Sequence, residues 1–239
     1  MRSFVVVAMA LTSLFLASSA FGQASSRAAL EGRIAELAKQ LKEAERQFLA
    51  PSPDDVAKYK DFLSQPDTGL VRLLPREKFQ DKLFIRGGGA YYSFDRLTHE
   101  YGHGSDIELE QGRFSVGFAG ADYGFITELG RVPIEEITAA HPLAQYLLSY
   151  TPPTSEPDVR AEYRRIGGGL LVDGLSYGRG ATARDGSAYL LRSISIDESD
   201  LLVVLRVIGT DSDGSVSILW KVLKRFPVPR MARETRPPG

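Results

Sequence analysis

SAYLLRSISI (Ser187–Ile196), LLVVLRVI (Leu201–Ile208) and SVSILWKVL (Ser215–Leu223) are the runs that decide the fold. Each is rich in β-branched and aliphatic residues, and turn-forming clusters bound all three. Those clusters are Arg184-Asp185-Gly186, Asp197-Glu198-Ser199-Asp200 and Asp211-Ser212-Asp213-Gly214. Connections this short join neighbouring strands, so the runs predict an antiparallel meander. Leu170–Tyr177 reads as a fourth strand ahead of it.

Upstream, Ile107 and Leu109, then Phe114, Val116 and Phe118, alternate with polar or small residues around Gln111-Gly112, the pattern of a hairpin. Leu70–Leu74 reads as extended. Residues 133–150 predict a helical insert interrupted at Pro142. Thr151–Pro157, with three prolines, reads as a loop or internal boundary. Two segments are alike, Phe84-Ile85-Arg86-Gly87-Gly88-Gly89 and Arg164-Arg165-Ile166-Gly167-Gly168-Gly169, which points to two related halves at about 83–130 and 164–226.

The N-terminal quarter is helical in pattern. In Ser25–Leu49 the residues Leu30, Ile34, Leu37, Leu41, Ala44 and Phe48 alternate spacings of four and three, the a/d rhythm of a coiled coil. Self-association through residues 27–48 and packing onto the chain's own domain are both consistent with it. After Pro51, Ser52 and Pro53 suit the cap and first position of a second short helix, with Val56, Tyr59, Phe62 and Leu63 as its apolar face. The predicted fold is therefore α+β, with two N-terminal helices followed by an antiparallel β-rich domain carrying a short helical insert. The expected division is residues 1–24 as signal peptide, 25–64 helical, 65–230 the β-rich domain and 231–239 a disordered tail.

The export reading rests on Arg2, the apolar run Phe4–Leu16 and the small residues Ser18, Ser19, Ala20, Gly22 and Ala24. Cleavage after Ala20, Gly22 or Ala24 removes one of 29 Lys and Arg, leaving 28 against 30 Asp and Glu. That near-neutral balance argues against a nucleic-acid partner. The run is short for a bilayer span, and no other stretch is apolar enough for one, so no integral segment is expected after signal removal. With no Cys, the chain uses no disulfides and no lipidated N-terminal Cys. The expected location is the periplasm or the exterior.

One string names a chemistry: His99-Glu100-Tyr101-Gly102-His103. On a helix, two His at i and i+4 share a face and can ligate one zinc, and the Glu between them can act as base on the metal-bound water. Over these five residues the chain resembles the zincin metallopeptidases. The resemblance implies zinc on His99 and His103, with Glu100 catalytic. It also requires Leu97–His103 to be helix, whereas Gly87–Gly89, Gly102 and Gly104 crowd the site. Glu128, Glu135, Glu136 and His141 are candidate third ligands. Asp211-Ser212-Asp213-Gly214 resembles part of an EF-hand loop, but Trp220 stands where its closing Glu belongs, so a hairpin turn is expected. Tyr91, Tyr92, Tyr101 and Tyr123 are candidates for a carbohydrate or peptide groove. The first reading of function is a non-catalytic envelope or secreted binding or scaffolding module without a cofactor. The second is a zinc-dependent peptidase.

Overall fold

The aliphatic runs of the last third form strands because they are buried on both faces. The structure, a computed structural model, describes residues 4–78, 83–118 and 122–232, with side chains from residue 26 onward. It is an α+β arrangement of antiparallel sheets and a few helices. It divides into two compact units, residues 1–48 and 49–239. The expected tail lies outside the described residues beyond Ala232, as do the first three residues of the export segment.

The first unit is built from helix α1 (Phe4–Leu49). Its polar faces carry contacts at helical spacing, Arg27 with Glu31, Gln40 with Glu36 and Arg46 with Glu43. Among the described residues no helix is long and apolar enough to cross a membrane.

The second unit begins with α2 (Pro53–Lys58), where the Ser52 hydroxyl accepts from the Asp54 and Asp55 N–H groups. Then come α3 (Lys60–Leu63), β1 (Thr68–Leu73), β2 (Tyr91–Tyr92), β3 (Ile107–Glu110), β4 (Arg113–Ser115) and β5 (Tyr123–Gly130). Single 3-10 turns at Ile134–Glu136 and Pro142–Ala144 lead to α4 (Gln145–Ser149) and α5 (Glu156–Gly167). The chain closes with β6 (Leu170–Val172), β7 (Leu175–Tyr177), β8 (Gly180–Thr182), β9 (Ala188–Ser195), β10 (Ser199–Thr210) and β11 (Val216–Arg225).

One sheet has the order β1-β11-β10-β9-β5, and a smaller one β2-β3-β4-β8. Main-chain bonds join their margins. At one seam Leu74 N–H donates to Gly89 O; at the other Gly178 bridges to Ile126 on β5. The enclosed core includes Tyr189, Leu191, Leu201, Val203, Leu205 and Val207. The alternate residues Leu190, Ile194, Leu202 and Val204 face outward, beneath Leu147 of α4 and Val159 and Ile166 of α5. Burial on both faces explains why these strands read as continuous apolar runs.

Local chemistry accounts for the departures from expectation. Leu170–Tyr177 is a hairpin, because Asp173 (φ 50°) and Gly174 (φ 81°) both take the left-handed conformation of a tight turn. Residues 133–150 do not form an interrupted helix. Pro142 has no N–H and forces His141 into an extended conformation, leaving two 3-10 turns and the short α4. Helix α5 begins inside the Thr151–Pro157 stretch that reads as a loop, and includes Pro157. That proline sits in the first turn, where its missing N–H is harmless, and Ser155 caps the Asp158 N–H.

Candidate functional site

The His99–His103 string lies in the loop between β2 and β3, and none of it is helical. Residues 94–97 form a turn closed by the Ser93–Thr98 bridge, with Leu97 left-handed at φ 53°. Gly104 follows at φ 80°. Ser105 N–H donates to Gly102 O, its hydroxyl donates to Glu100 O, and Gly102 N–H donates to that hydroxyl. The helix that would align two zinc ligands on one face is replaced by this knot of local bonds.

Each imidazole is turned to a different distant segment. His99 Nε2 lies 2.9 Å from Arg72 O on β1, and its ring meets Tyr92 edge-on at 5.2 Å. A carbonyl only accepts, so Nε2 carries the proton. Burial pushes the His99 pKa down, against the opposing pull of the Arg72 carbonyl. His103 Nε2 lies 2.8 Å from Ile196 O, beside the β9–β10 turn. Its Nδ1 lies 3.0 Å from Asp122 Oδ1, at the start of β5. His103 thus lies between a main-chain carbonyl and a buried carboxyl group. Burial raises the Asp122 pKa; the nearby His103, the Gly104 N–H and the Ser195 hydroxyl oppose it. Glu100 is exposed, and its N–H is held by the Thr98 hydroxyl.

The candidate third ligands are scattered. Glu128 is taken by Arg184 and the Ser187 hydroxyl. His141 Nδ1 accepts from Leu143 N–H, and Glu135 and Glu136 are exposed in a 3-10 turn. Among the described residues no group of three or more His, Asp or Glu side chains is placed to share a metal ion.

The loop instead plugs one region of the β core. Phe94 is fully buried, 5.3 Å from Trp220 and 5.4 Å from Tyr92, ring centre to ring centre. Asp106 is also fully buried, and its Oδ2 accepts from Phe94 N–H at 2.7 Å. Burial pushes the Asp106 carboxyl up to about 6, while the Ser193 and Ser93 hydroxyls and the Phe94 N–H oppose the rise. Sequence reasoning singled out neither Asp106 nor Asp122. The available signal was position: each is an acid immediately before an apolar strand.

The aromatic candidates are mostly interior. Tyr91, Tyr92 and Tyr123 are buried, and only Tyr101 is half-buried, packed on Tyr91 and Phe118 beneath Arg86. Asp211 and Asp213 both pair with Arg72, at 3.0 and 3.2 Å, in the β10–β11 turn. The two Gly triplets differ in setting. Gly87–Gly89 are all left-handed in a turn before β2, whereas Gly167 ends α5 and only Gly169 of its triplet is left-handed. A cavity of about 520 Å³ opens beside Asp122, lined by Val159, Tyr163, Arg164 and Met231. A second, of about 440 Å³, lies among Arg113, Glu128 and Arg179.

Comparisons of this chain with family models, curated proteins and solved structures return no match.

Proposed function

We propose that this protein is an exported, non-catalytic binding or scaffolding module of the periplasm or exterior. In this reading an N-terminal export segment and a helix precede the β domain. The observation that supports it most is the use made of His99 and His103. Both Nε2 atoms are committed to main-chain carbonyls far apart in the chain, Arg72 O on β1 and Ile196 O in the β9–β10 turn, so the one string that spells a reaction acts as a pair of loop fasteners. Glu100 stands exposed between them, its N–H held by the Thr98 hydroxyl.

The test is metal analysis of the protein purified after export and supplied with saturating zinc, alongside His99→Ala and Glu100→Gln. The expected result is no stoichiometric zinc, with Glu100→Gln folding as the parent does. About one zinc per chain, retained in Glu100→Gln while a peptidase activity is lost, would replace this reading with that of a zincin-type metallopeptidase. N-terminal sequencing tests export, with a start expected just after Ala20, Gly22 or Ala24.

A further inference from the structure

The apolar row on α1 is unusually narrow. Leu30, Ile34 and Leu37 are 58%, 65% and 54% exposed, and they continue through Leu41, Ala44 and Phe48. In heptad terms Ile34, Leu41 and Phe48 occupy a, and Leu30, Leu37 and Ala44 occupy d. The flanking e and g places hold Glu31, Arg33, Ala38, Gln40, Glu45 and Gln47. A helix destined for a globular core widens its apolar face into e or g. Here those places are polar, or alanine at 38, so the row is a seam rather than a face.

The remaining faces say what fits the seam. A helix that lies on an anionic membrane carries a polar face dominated by Lys and Arg. The outer faces of α1 mix Glu36 and Glu43 with Lys39, Lys42 and Arg46, and Arg46 pairs with Glu43 on its own helix. The seam calls for a partner helix of the same 3.5-residue rhythm, and a second copy supplies it without charge conflict: in a parallel pair the g and e places set Ser26 against Glu31, Arg33 against Ala38 and Gln40 against Glu45, so no like charges meet. Most of the stability of a helix in a protein comes from packing its apolar stripe, which here is the seam. β-branched Ile34 at a, between Leu30 and Leu37 at d, favours two strands over three.

We propose that α1 pairs with α1 of a second copy of this chain, as a two-stranded coiled coil closed by Leu30, Ile34, Leu37 and Leu41. The pairing stands apart from the question of zinc, so either proposal can fail alone. The experiment is sedimentation equilibrium of the exported protein, of the seam variant Ile34→Lys/Leu37→Lys and of the outward-facing control Lys39→Ala. Thermal unfolding is followed through the single tryptophan, Trp220. The expected result is a mass of two chains for the parent and the control. The seam variant should weigh one chain, lose part of its far-UV helical signal and keep the parent's Trp220 transition. A parent of one chain or of three overturns the proposal, as does a seam variant that still weighs two.

Discussion

The β9–β11 meander and the loop from Ser93 to Asp106 meet in one core, yet their sequences encode that burial differently. In β9 and the first seven residues of β10 every side chain is buried, one set inside the sheets and the alternate set under α4 and α5. Its composition alone reveals it. In the loop, Phe94 and Asp106 are as fully buried as any meander residue, but Arg96, Leu97 and Glu100 between them are exposed, and the backbone has no period. Here hydrogen bonds and left-handed residues do the work that periodicity does in the strands. A five-residue string is readable in such a loop only if its backbone is known, and His99 and His103 point apart because Leu97 and Gly104 turn the chain around them.

If the meander depends on its one buried ion pair, breaking that pair should produce the largest loss. Arg192 and Asp200 are each 1% exposed; Arg192 donates to both Asp200 carboxylate oxygens and to Leu147 O and Tyr150 O. Asp200→Ala strands the guanidinium, and urea unfolding should show a loss of about 3–5 kcal/mol. In the loop, Phe94→Ala should lose a similar amount, about 3–5 kcal/mol, if its ring is part of the same core. A loss below about 1 kcal/mol would mean the loop is dispensable decoration.

Asp106 sharpens the comparison through pH. Its carboxyl is raised to about 6 in the fold, against about 3.9 in an unfolded chain. Between about pH 4 and 6 the folded chain keeps a proton that the unfolded chain releases, so unfolding free energy should fall as pH rises. The contribution is full below about pH 4 and lost through about pH 6, on the order of 2–3 kcal/mol in all. Asp106→Asn, which can still accept from Phe94 N–H, should flatten that slope in stability curves taken across this range. His99→Ala should cost about 1–2 kcal/mol, through the lost bond to Arg72 O and the lost packing on Tyr92. Glu100→Gln should change stability by less than about 0.5 kcal/mol.

Most of the large sheet was legible before its structure. The three runs became β9, β10 and β11, and Gln111-Gly112 became the turn of β3 and β4, with φ of 49° and 69°. What escaped was local. Asp173-Gly174 is as strong a turn signal as Gln111-Gly112, but it sat inside an apolar run that looked long enough for one strand. Pro157 hid α5, although Ser155, Glu156 and Asp158 together describe a helix start. At the candidate site, His99, Glu100 and His103 were visible by type. Their partners Arg72 O and Ile196 O were not, because main-chain carbonyls brought in from distant segments leave no mark on the sequence, and Asp122 showed only as an acid ahead of an apolar strand.

The central claim, that His99 and His103 fasten a loop instead of holding a metal, is tested most directly by 15N NMR of the histidine rings during a zinc titration. The expected spectrum has His99 as the Nε2–H form, with both rings unmoved by one equivalent of zinc. Joint loss of the His99 and His103 Nε2 protons at one equivalent, with both ring signals shifting together, would contradict it.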